Sequence, residues 1–408
     1  MRLIIFIIVY LLVDLYAFQV LKSLTKNQWV YIGFAALSLL VLGNFIYHIV
    51  TYDSSQVVHS SRALAIGLLL VLFIPKLIVI PFVFGEDIVR FIIASYQKLF
   101  GTAQEFHLAS RRKFVSTLAL TVAAIPFTSL LYGMYRGKYN YQVLHHELEF
   151  EDLPTEFDGY QITHISDIHC GSLDDKNAIA YAVDLINEQE SEVILFTGDL
   201  VNDRAEEINV WKDQFSKLTA KDGVFSVLGN HDYGDYVRWN SQTERAQNFE
   251  KLKALQGEMG WKLLLNESHR IEKDGAHIHL VGVENWGEGG FIKAGDINKA
   301  AASVSTADFK IVMSHDPSHW SAQLLSHPKN FQLTLSGHTH GMQFGIEIPG
   351  LIKWSPVKYR YEHWAGIYEH GKKVINVNRG FGFIGYPGRV GIWPEISVIT
   401  LKRKSATA

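Results

Sequence analysis

The segment from Phe331 to Gly345 reads FQLTLSGHTHGMQFG. It begins as a short apolar run typical of a buried strand and ends in a glycine turn that carries His338 and His340. One His-x-His pair is weak evidence, because such a pair is often structural. The pair becomes informative only when other strands of the chain end in the same way.

Four further apolar runs also end in Asp, Asn or His. The four junctions are Ser166-Asp-Ile-His169, Thr197-Gly-Asp-Leu200, Gly229-Asn-His-Asp232 and Ser314-His-Asp316. Because the carboxyl ends of strands line the crevice of an α/β sheet, we expect these side chains to meet at one edge. The predicted donors are Asp167, His169, Asp199, Asn230, His315, His338 and His340.

Such a donor set is too large for one ion but suits two ions that share a bridging carboxylate. Mixed nitrogen and oxygen donors without thiolate favour Mn²⁺, Fe²⁺/³⁺ or Zn²⁺. Paired ions of this kind act on the attacking and leaving oxygens of an in-line displacement. The sequence therefore predicts a dinuclear metal centre with two divalent ions.

The first third of the chain is apolar in four blocks, at about residues 3–21, 29–50, 63–84 and 114–135. Each block is long enough to cross a bilayer as a helix, and four of them argue against a soluble helical core. We predict an all-α transmembrane region with four helices at 1–136. A linker at 137–154, a soluble α/β domain at 155–402 and a tail at 403–408 complete the expected organisation.

The charges between these blocks predict their orientation. Seven Lys and Arg residues fall in the first and third loops and four fall on the other side. The basic side is expected in the cytoplasm, which places the large domain outside the cell membrane, on the periplasmic side. The run Ser110-Arg-Arg-Lys-Phe-Val115 resembles a twin-arginine export motif, and an ordinary basic flank is the alternative.

Charged residues and composition give four further expectations. Asp14 and Lys76 lie inside predicted spans and are expected to pair, while Glu86–Leu99 has an amphipathic period suited to the inner membrane surface. The net charge of -3 gives no reason to expect nucleic acid as a partner. One cysteine, Cys170, excludes an internal disulfide framework and Cys-rich zinc modules.

The series Asp167-x-His169, Gly198-Asp199, Gly229-Asn-His-Asp232, His315 and Gly337-His-Thr-His340 resembles the calcineurin-like metallophosphoesterases. Asn378-Arg-Gly-Phe-Gly, Tyr386-Pro-Gly-Arg and Pro394-Glu are similar to the membrane-associated bacterial branch of that family. The resemblance implies a four-layer α/β sandwich, in which two mixed sheets pack face to face with helices outside.

The resemblance also implies roles for individual residues. Asp167, His169 and His340 would hold one metal ion, Asn230, His315 and His338 the other, and Asp199 would bridge them. A hydroxide held between the two ions would attack phosphorus. His231 would lie near the leaving-group oxygen and donate a proton or stabilise charge there; a packing role is the alternative.

Two positions depart from the family pattern. The Asp that usually orients the catalytic histidine is replaced by Asn202, so Asn202, Asp203 or Asp232 is expected to take that role. Met342 stands where the family commonly has glycine.

The substrate is less well defined by the sequence. Aromatic residues after the last predicted ligands, with Arg379 and Arg389 among them, suit either a lipid-facing rim or a core strand pair. In the first case Arg379 would bind the substrate phosphate. We expect a membrane-anchored phosphohydrolase of a phosphomonoester, phosphodiester or pyrophosphate, with a lipid-linked substrate and membrane lipid as partners. A metal amidohydrolase is disfavoured by the order of the motifs, and a non-catalytic membrane protein that senses metal or ligand is the alternative.

Overall fold

The computed structural model describes residues 1–51, 60–101, 109–348 and 350–404. It separates into two compact units, one formed by the helical residues up to Tyr135 and the other beginning at Arg136. Residues 405–408 of the predicted tail lie outside the described residues.

The first unit consists of four long helices. They are α1 (Arg2–Leu24), α2 (Gln28–Val50), α3 (Ser60–Phe100) and α4 (Ala109–Tyr135). All four are long and apolar enough to span a membrane, as the sequence predicts. Asn27 begins α2 by accepting a hydrogen bond from the Trp29 amide through its side chain.

The third helix is longer than its predicted apolar block. Pro75 and Pro81 lie inside α3, and the helix continues through the amphipathic segment Glu86–Leu99 to Phe100. That segment is therefore continuous with the apolar part of α3 and is not a separate helix; its position at the inner membrane surface stays a prediction.

Asp14 and Lys76 form the buried ion pair predicted from the sequence. The Lys76 ammonium also donates to the Ser38 hydroxyl at 2.8 Å, so charged and polar groups of α1, α2 and α3 meet at one point. A charge inside an apolar region is tolerated when it is paired in this way. The pair and the Ser38 hydroxyl therefore link the three helices.

The second unit is built on two six-stranded mixed sheets. The strands of the first sheet, in spatial order, are β1 (Gln142–Phe150), β14 (Glu395–Arg403), β2 (Gln161–Ile165), β3 (Val193–Phe196), β4 (Val224–Ser226) and β5 (Trp261–Leu263). Those of the second are β12 (Gly366–His370), β13 (Lys373–Val377), β9 (Leu333–Ser336), β8 (Lys310–Met313), β7 (Ala276–Gly282) and β6 (Glu267–Lys273). A separate hairpin consists of β10 (Ile346–Ile348) and β11 (Ile352–Trp354).

Side chains that alternate along the buried strands produce the layers. In β3, Val193 and Leu195 join the core between the sheets, whereas Ile194 and Phe196 join the core under helix α5 (Lys176–Asn187). Because both faces of β3 are covered, all four residues are apolar. A third core lies on the outer face of the second sheet, which completes the predicted four-layer α/β architecture.

The segment expected to be a linker, 137–154, contains β1 instead. This strand pairs in parallel with β14 along its whole length at the edge of the first sheet. Its polar residues resemble those of a linker because they lie on the solvated face: His145, Glu147 and Glu149 are exposed, while Leu148 and Phe150 are buried. An edge strand with one solvated face carries such a mixture.

Candidate metal centre

The structure gathers the predicted donors at the carboxyl ends of β2, β3, β8 and β9 and in the loop after β4. Six of them form two groups, in each of which the ligand atoms lie within 4.8 Å of one another. The first group is Asp167, His169 and His340, and the second is Asp199, His315 and His338.

Imidazole nitrogens define the first group. The Nε2 atoms of His169 and His340 are 3.0 Å apart, and His340 Nε2 is 3.2 Å from Asp167 Oδ1. Two facing nitrogens at this distance can share either one proton or one cation. With the Asp167 carboxylate beside them, the three side chains fit a divalent ion.

Asn230 belongs with the second group. Its Oδ1 is 2.8 Å from His338 Nδ1, and that nitrogen is 3.2 Å from His315 Nε2. The arrangement again combines oxygen and imidazole donors.

Asp199 lies between the two groups. Its Oδ2 is 3.6 Å from His169 Nε2 in the first group and 3.2 Å from His315 Nε2 in the second. One carboxylate oxygen of Asp199 therefore faces both donor groups.

Hydrogen bonds behind two of the donors hold their rings in an orientation that suits metal binding. His315 Nδ1 lies 2.7 Å from the Thr197 carbonyl, to which it can only donate, so Nε2 is the nitrogen that a metal ion would contact in place of a proton. His338 Nε2 lies 2.8 Å from the Tyr361 hydroxyl, and the tautomer that donates there carries its lone pair on Nδ1. His315 Nε2 and His338 Nδ1 both face the other donors, so the residues present fit a metal ion.

Five of the seven donors have left-handed backbone conformations. They are Asp167, His169, Asp199, His338 and His340, with φ between 50° and 69°. Such φ values are uncommon for residues other than glycine and concentrate at functional sites. The backbone of these loops therefore adopts a less stable conformation that directs the donor side chains toward one another.

Gly337 brings the first and last ligand loops together. A Cβ atom at this position would lie 1.9 Å from Ser166 Oγ and 2.1 Å from Asp167 Oδ2. The next residue, His338, donates its amide to both Asp167 carboxylate oxygens at 3.0 Å. Glycine is required at position 337 because any side chain would collide with Ser166 and Asp167.

Opposite charges keep the carboxylates ionised. Burial alone would raise the pKa of Asp167 and of Asp199, but His340 and His315 respectively hold both pKa values well below their usual range. Burial opposes protonation of His315, yet Asp199 raises the pKa of His315 to about 10.

His231 lies beside the first group, with its ring centroid 5.0 Å from that of His169. Its Nδ1 donates to the backbone carbonyl of Asn202 at 2.7 Å, which leaves Nε2 free. The orienting contact at position 202 is thus made by the main chain. The Asn202 side chain instead donates to the Ser172 hydroxyl at 3.0 Å.

The other two residues expected to orient His231 have different contacts. The Asp232 carboxylate accepts backbone amides of Gly229, Asp199 and Leu200 at 2.8 to 2.9 Å and so joins two ligand loops. Burial raises the pKa of Asp232 to about 7, with Asp199 adding to the effect. Burial, with a contribution from Glu207, raises the pKa of Asp203 to about 8.

Arg379 differs from its expected substrate-binding role. Its guanidinium is buried and donates to Glu395 and to both carboxylate oxygens of Glu347, the latter at 2.6 and 3.0 Å. A guanidinium engaged by two carboxylates has little capacity for a phosphate. Arg389 is also buried, and its donors face the carbonyls of Gly382, Arg379 and Gly380.

Two tyrosines at the centre were not predicted. The Tyr236 hydroxyl accepts the Asn230 amide at 2.8 Å and so directs Asn230 Oδ1 toward His338. Tyr361 contacts His338 from the other side, and its hydroxyl is 3.5 Å from Asp316 Oδ2. Aromatic residues in glycine-rich loops carry no spacing that could have identified these contacts.

A two-sheet α/β domain with this buried donor set, preceded in the sequence by four apolar helices, is typical of a membrane-associated metallophosphoesterase. The chain belongs to the calcineurin-like phosphoesterases, as the sequence motifs predict. Residues 160–342 match the family model for calcineurin-like phosphoesterase and contain all seven donors. Residues 1–138 match the model for the probable transmembrane domain of calcineurin-like phosphoesterases.

Three relatives illustrate the similarity. The uncharacterized metallophosphoesterase YkuE of Bacillus subtilis is 28% identical over 299 residues, which cover 72% of this chain and 98% of that protein. A transmembrane protein with metallophosphoesterase domain from Danio rerio is 27% identical, over 69% of this chain and 63% of that protein. The uncharacterized metallophosphoesterase YkoQ of Bacillus subtilis is 25% identical, over 69% and 98% respectively.

Proposed function

We propose that this protein hydrolyses a phosphoester or phosphoanhydride bond at a dinuclear metal centre. The position of Asp199 Oδ2 between the two donor groups is the observation that carries the proposal. In this proposal Asp167, His169 and His340 would hold one ion, Asn230, His315 and His338 would hold the other, and Asp199 would contribute to both. When bound, two divalent ions of the Mn, Fe or Zn type supply charge for an in-line displacement at phosphorus.

His231 is the proton donor in this proposal. Because its Nδ1 proton is held by the Asn202 carbonyl, Nε2 is the atom that can carry a proton to the leaving oxygen. The imidazole of His231 is partly exposed, so a substrate can reach it. Asp232 acts indirectly, through the backbone of the ligand loops.

The catalytic domain is proposed to lie outside the cytoplasm, on the periplasmic side. The charge bias of the loops supports this orientation, and Ser110–Val115 supports export by a twin-arginine route. A reporter fused after Ala408 gives the measurement: activity of a periplasmic reporter supports the orientation, and activity of a cytoplasmic reporter contradicts it.

The enzymatic proposal is tested with the full chain, purified and supplied with Mn²⁺. Hydrolysis of an aryl phosphodiester and an aryl phosphomonoester is measured for the wild type and for two variants. We expect Asp199→Asn to lose turnover and Mn²⁺-dependent thermal stabilisation together. His231→Ala should keep the stabilisation and lose turnover by about 10²- to 10⁴-fold.

The two variants separate the roles of binding and proton transfer. If the wild type binds Mn²⁺ and hydrolyses neither these esters nor a lipid-linked phosphoester, the result contradicts hydrolysis and favours a sensing domain. Turnover that survives His231→Ala contradicts the role of that histidine alone.

A further inference from the structure

The β10–β11 hairpin turns an apolar face outward. The strands pair with Ile346 opposite Trp354 and Ile348 opposite Ile352, which places these four side chains on one face. Ile346, Ile348 and Ile352 are each between 41% and 49% exposed, and Leu351 beyond β10 is 79% exposed. A hairpin on a water-facing surface usually shows the opposite pattern.

Specific contacts hold the polar face of the hairpin against the domain. Glu347 accepts from the buried Arg379 guanidinium at 2.6 and 3.0 Å. Opposite it, the Lys353 ammonium donates to the Ala365 carbonyl and lies 5.1 Å from the centroid of the Trp364 ring. The outward orientation of the apolar face is therefore fixed by an ion pair and a hydrogen bond.

Exposed residues close to the hairpin in sequence have a composition typical of a membrane interface. Tyr359 is 79% exposed and Met342 58% exposed. Lys358 and Arg360, on either side of Tyr359, are exposed as well. Aliphatic residues bordered by tyrosine and basic side chains are typical of protein surfaces that enter the interface of a membrane with anionic lipids.

The same part of the chain reaches the metal centre. It starts after the donor His340 and ends at Tyr361, whose hydroxyl is 2.8 Å from His338 Nε2. A cavity of about 450 Å³ adjoins Tyr361 and is lined by polar side chains of both signs, namely Arg360, His363, Ser318, Ser321, Glu288 and Glu362. A polar cavity therefore lies beside Arg360 and Tyr361.

We propose that the hairpin and its neighbours Met342 and Tyr359 dock into the surface of a lipid bilayer. The substrate is then a phosphoester or pyrophosphate whose lipid part stays in the bilayer, and this second statement rests on the proposed hydrolytic function. A bilayer is the expected occupant because the domain follows a candidate membrane helix directly in the sequence. Helix α4 ends at Tyr135 and the next turn begins at Gly137, so Arg136 alone separates them along the chain.

Docking is measured with the full chain in nanodiscs of phosphatidylcholine and phosphatidylglycerol. The chain has one cysteine, Cys170, which is buried, so Leu351→Cys can be labelled selectively with an environment-sensitive fluorophore. We expect a blue-shifted emission that lipids with a spin-labelled acyl chain quench by about twofold or more. Val210→Cys, at a position 56% exposed outside the hairpin, is the matched control and should be quenched far less.

An unquenched label at position 351 overturns docking. Disulfide-linked dimers of Leu351→Cys without quenching also overturn it, because they identify a second protein copy as the occupant of the surface.

The substrate class is tested with a triple variant, Ile348→Ser with Leu351→Ser and Ile352→Ser. We expect hydrolysis of a water-soluble aryl phosphoester to stay within about twofold of wild type. Phosphate release from phosphatidic acid or a polyprenyl pyrophosphate in the disc should fall about tenfold or more, because each lost apolar group weakens insertion. Val210→Ser is the control for both assays.

The outcomes separate the two proposals. Equal loss on soluble and lipid substrates, or hydrolysis of the soluble ester by wild type with neither lipid cleaved, overturns the lipid substrate. Quenching without hydrolysis of any ester supports docking and overturns the hydrolytic function. Hydrolysis without quenching supports that function and overturns docking.

Discussion

Replacing Gly337 with alanine should disable the metal centre through a single methyl group. The new Cβ would lie 2.1 Å from Asp167 Oδ2 and 1.9 Å from Ser166 Oγ, whereas nonbonded heavy atoms are comfortable near about 3.5 Å. One partner must therefore move by more than about 1 Å. Both neighbours are fully buried, so the movement falls on a carboxylate of the first donor group.

A displacement of this size should weaken Mn²⁺ binding by about 10- to 100-fold and turnover by about 10²-fold. At a metal concentration about 100 times the wild-type Kd, binding stabilises the wild type by about 2.7 kcal/mol. A variant that binds about 100-fold more weakly gains only about 0.4 kcal/mol under the same conditions. Thermal unfolding of the full chain with and without Mn²⁺ measures this difference.

Gly257→Ala provides the matched control. Gly257 lies in the helix Gln242–Glu258, and a Cβ there would meet nothing within 4 Å. Alanine should stabilise the helix by about 0.5 to 1 kcal/mol and leave metal binding unchanged. If Gly337→Ala binds Mn²⁺ like the wild type, the assignment of Asp167 to the metal centre is wrong.

Three further variants test the surroundings of the centre. Tyr361→Phe removes the hydroxyl that faces His338 and should weaken Mn²⁺ binding by about 10- to 100-fold in a calorimetric titration. Arg379→Met leaves the fully buried Glu395 without its cation and should lower the free energy of unfolding by about 3 to 5 kcal/mol, measured by thermal unfolding. Burial lowers the pKa of His164 from 6.5 to about 4, so the folded state excludes a proton that the unfolded state accepts. Stability should therefore fall as the pH drops from about 6.5 toward 4, by about 3 kcal/mol from this group, and His164→Gln should flatten that part of the pH profile.

Each expectation has an outcome that contradicts it. Unchanged Mn²⁺ affinity in Tyr361→Phe would show that the hydroxyl does not orient His338. An Arg379→Met variant that unfolds like the wild type but has a raised KM would restore the substrate-binding role predicted from the sequence. An unaltered pH profile in His164→Gln would mean that other groups cause the acid destabilisation.

The sequence predicts those features that depend on local patterns. Apolar blocks of membrane length predict the four helices. An apolar strand followed at once by Asp, Asn or His predicts each ligand loop. Both patterns are informative because each has a physical cause. The length of the apolar blocks is set by the thickness of a bilayer, and the polar residues after strands lie where the strand ends meet at a sheet edge.

Features that depend on partners distant in the chain were not predictable. Strand β1 looks like a linker until its pairing with β14 is known. Arg379 looks like a phosphate ligand until Glu347 and Glu395 are seen to occupy its donors. The outward apolar face of β10 and β11 follows from the same ion pair, since two-residue alternation predicts two faces but not which of them points inward.

The left-handed conformation of five donors has a consequence for how the gene can change. A non-glycine residue in this region costs about 1 kcal/mol or more, so glycine in place of a donor relieves strain at the moment it removes a metal contact. Gene copies that are no longer selected for catalytic activity would accumulate substitutions that make the domain more stable and inactive. Screens that reward only expression or heat resistance should therefore enrich for inactive variants, and directed evolution of this protein needs activity in every round.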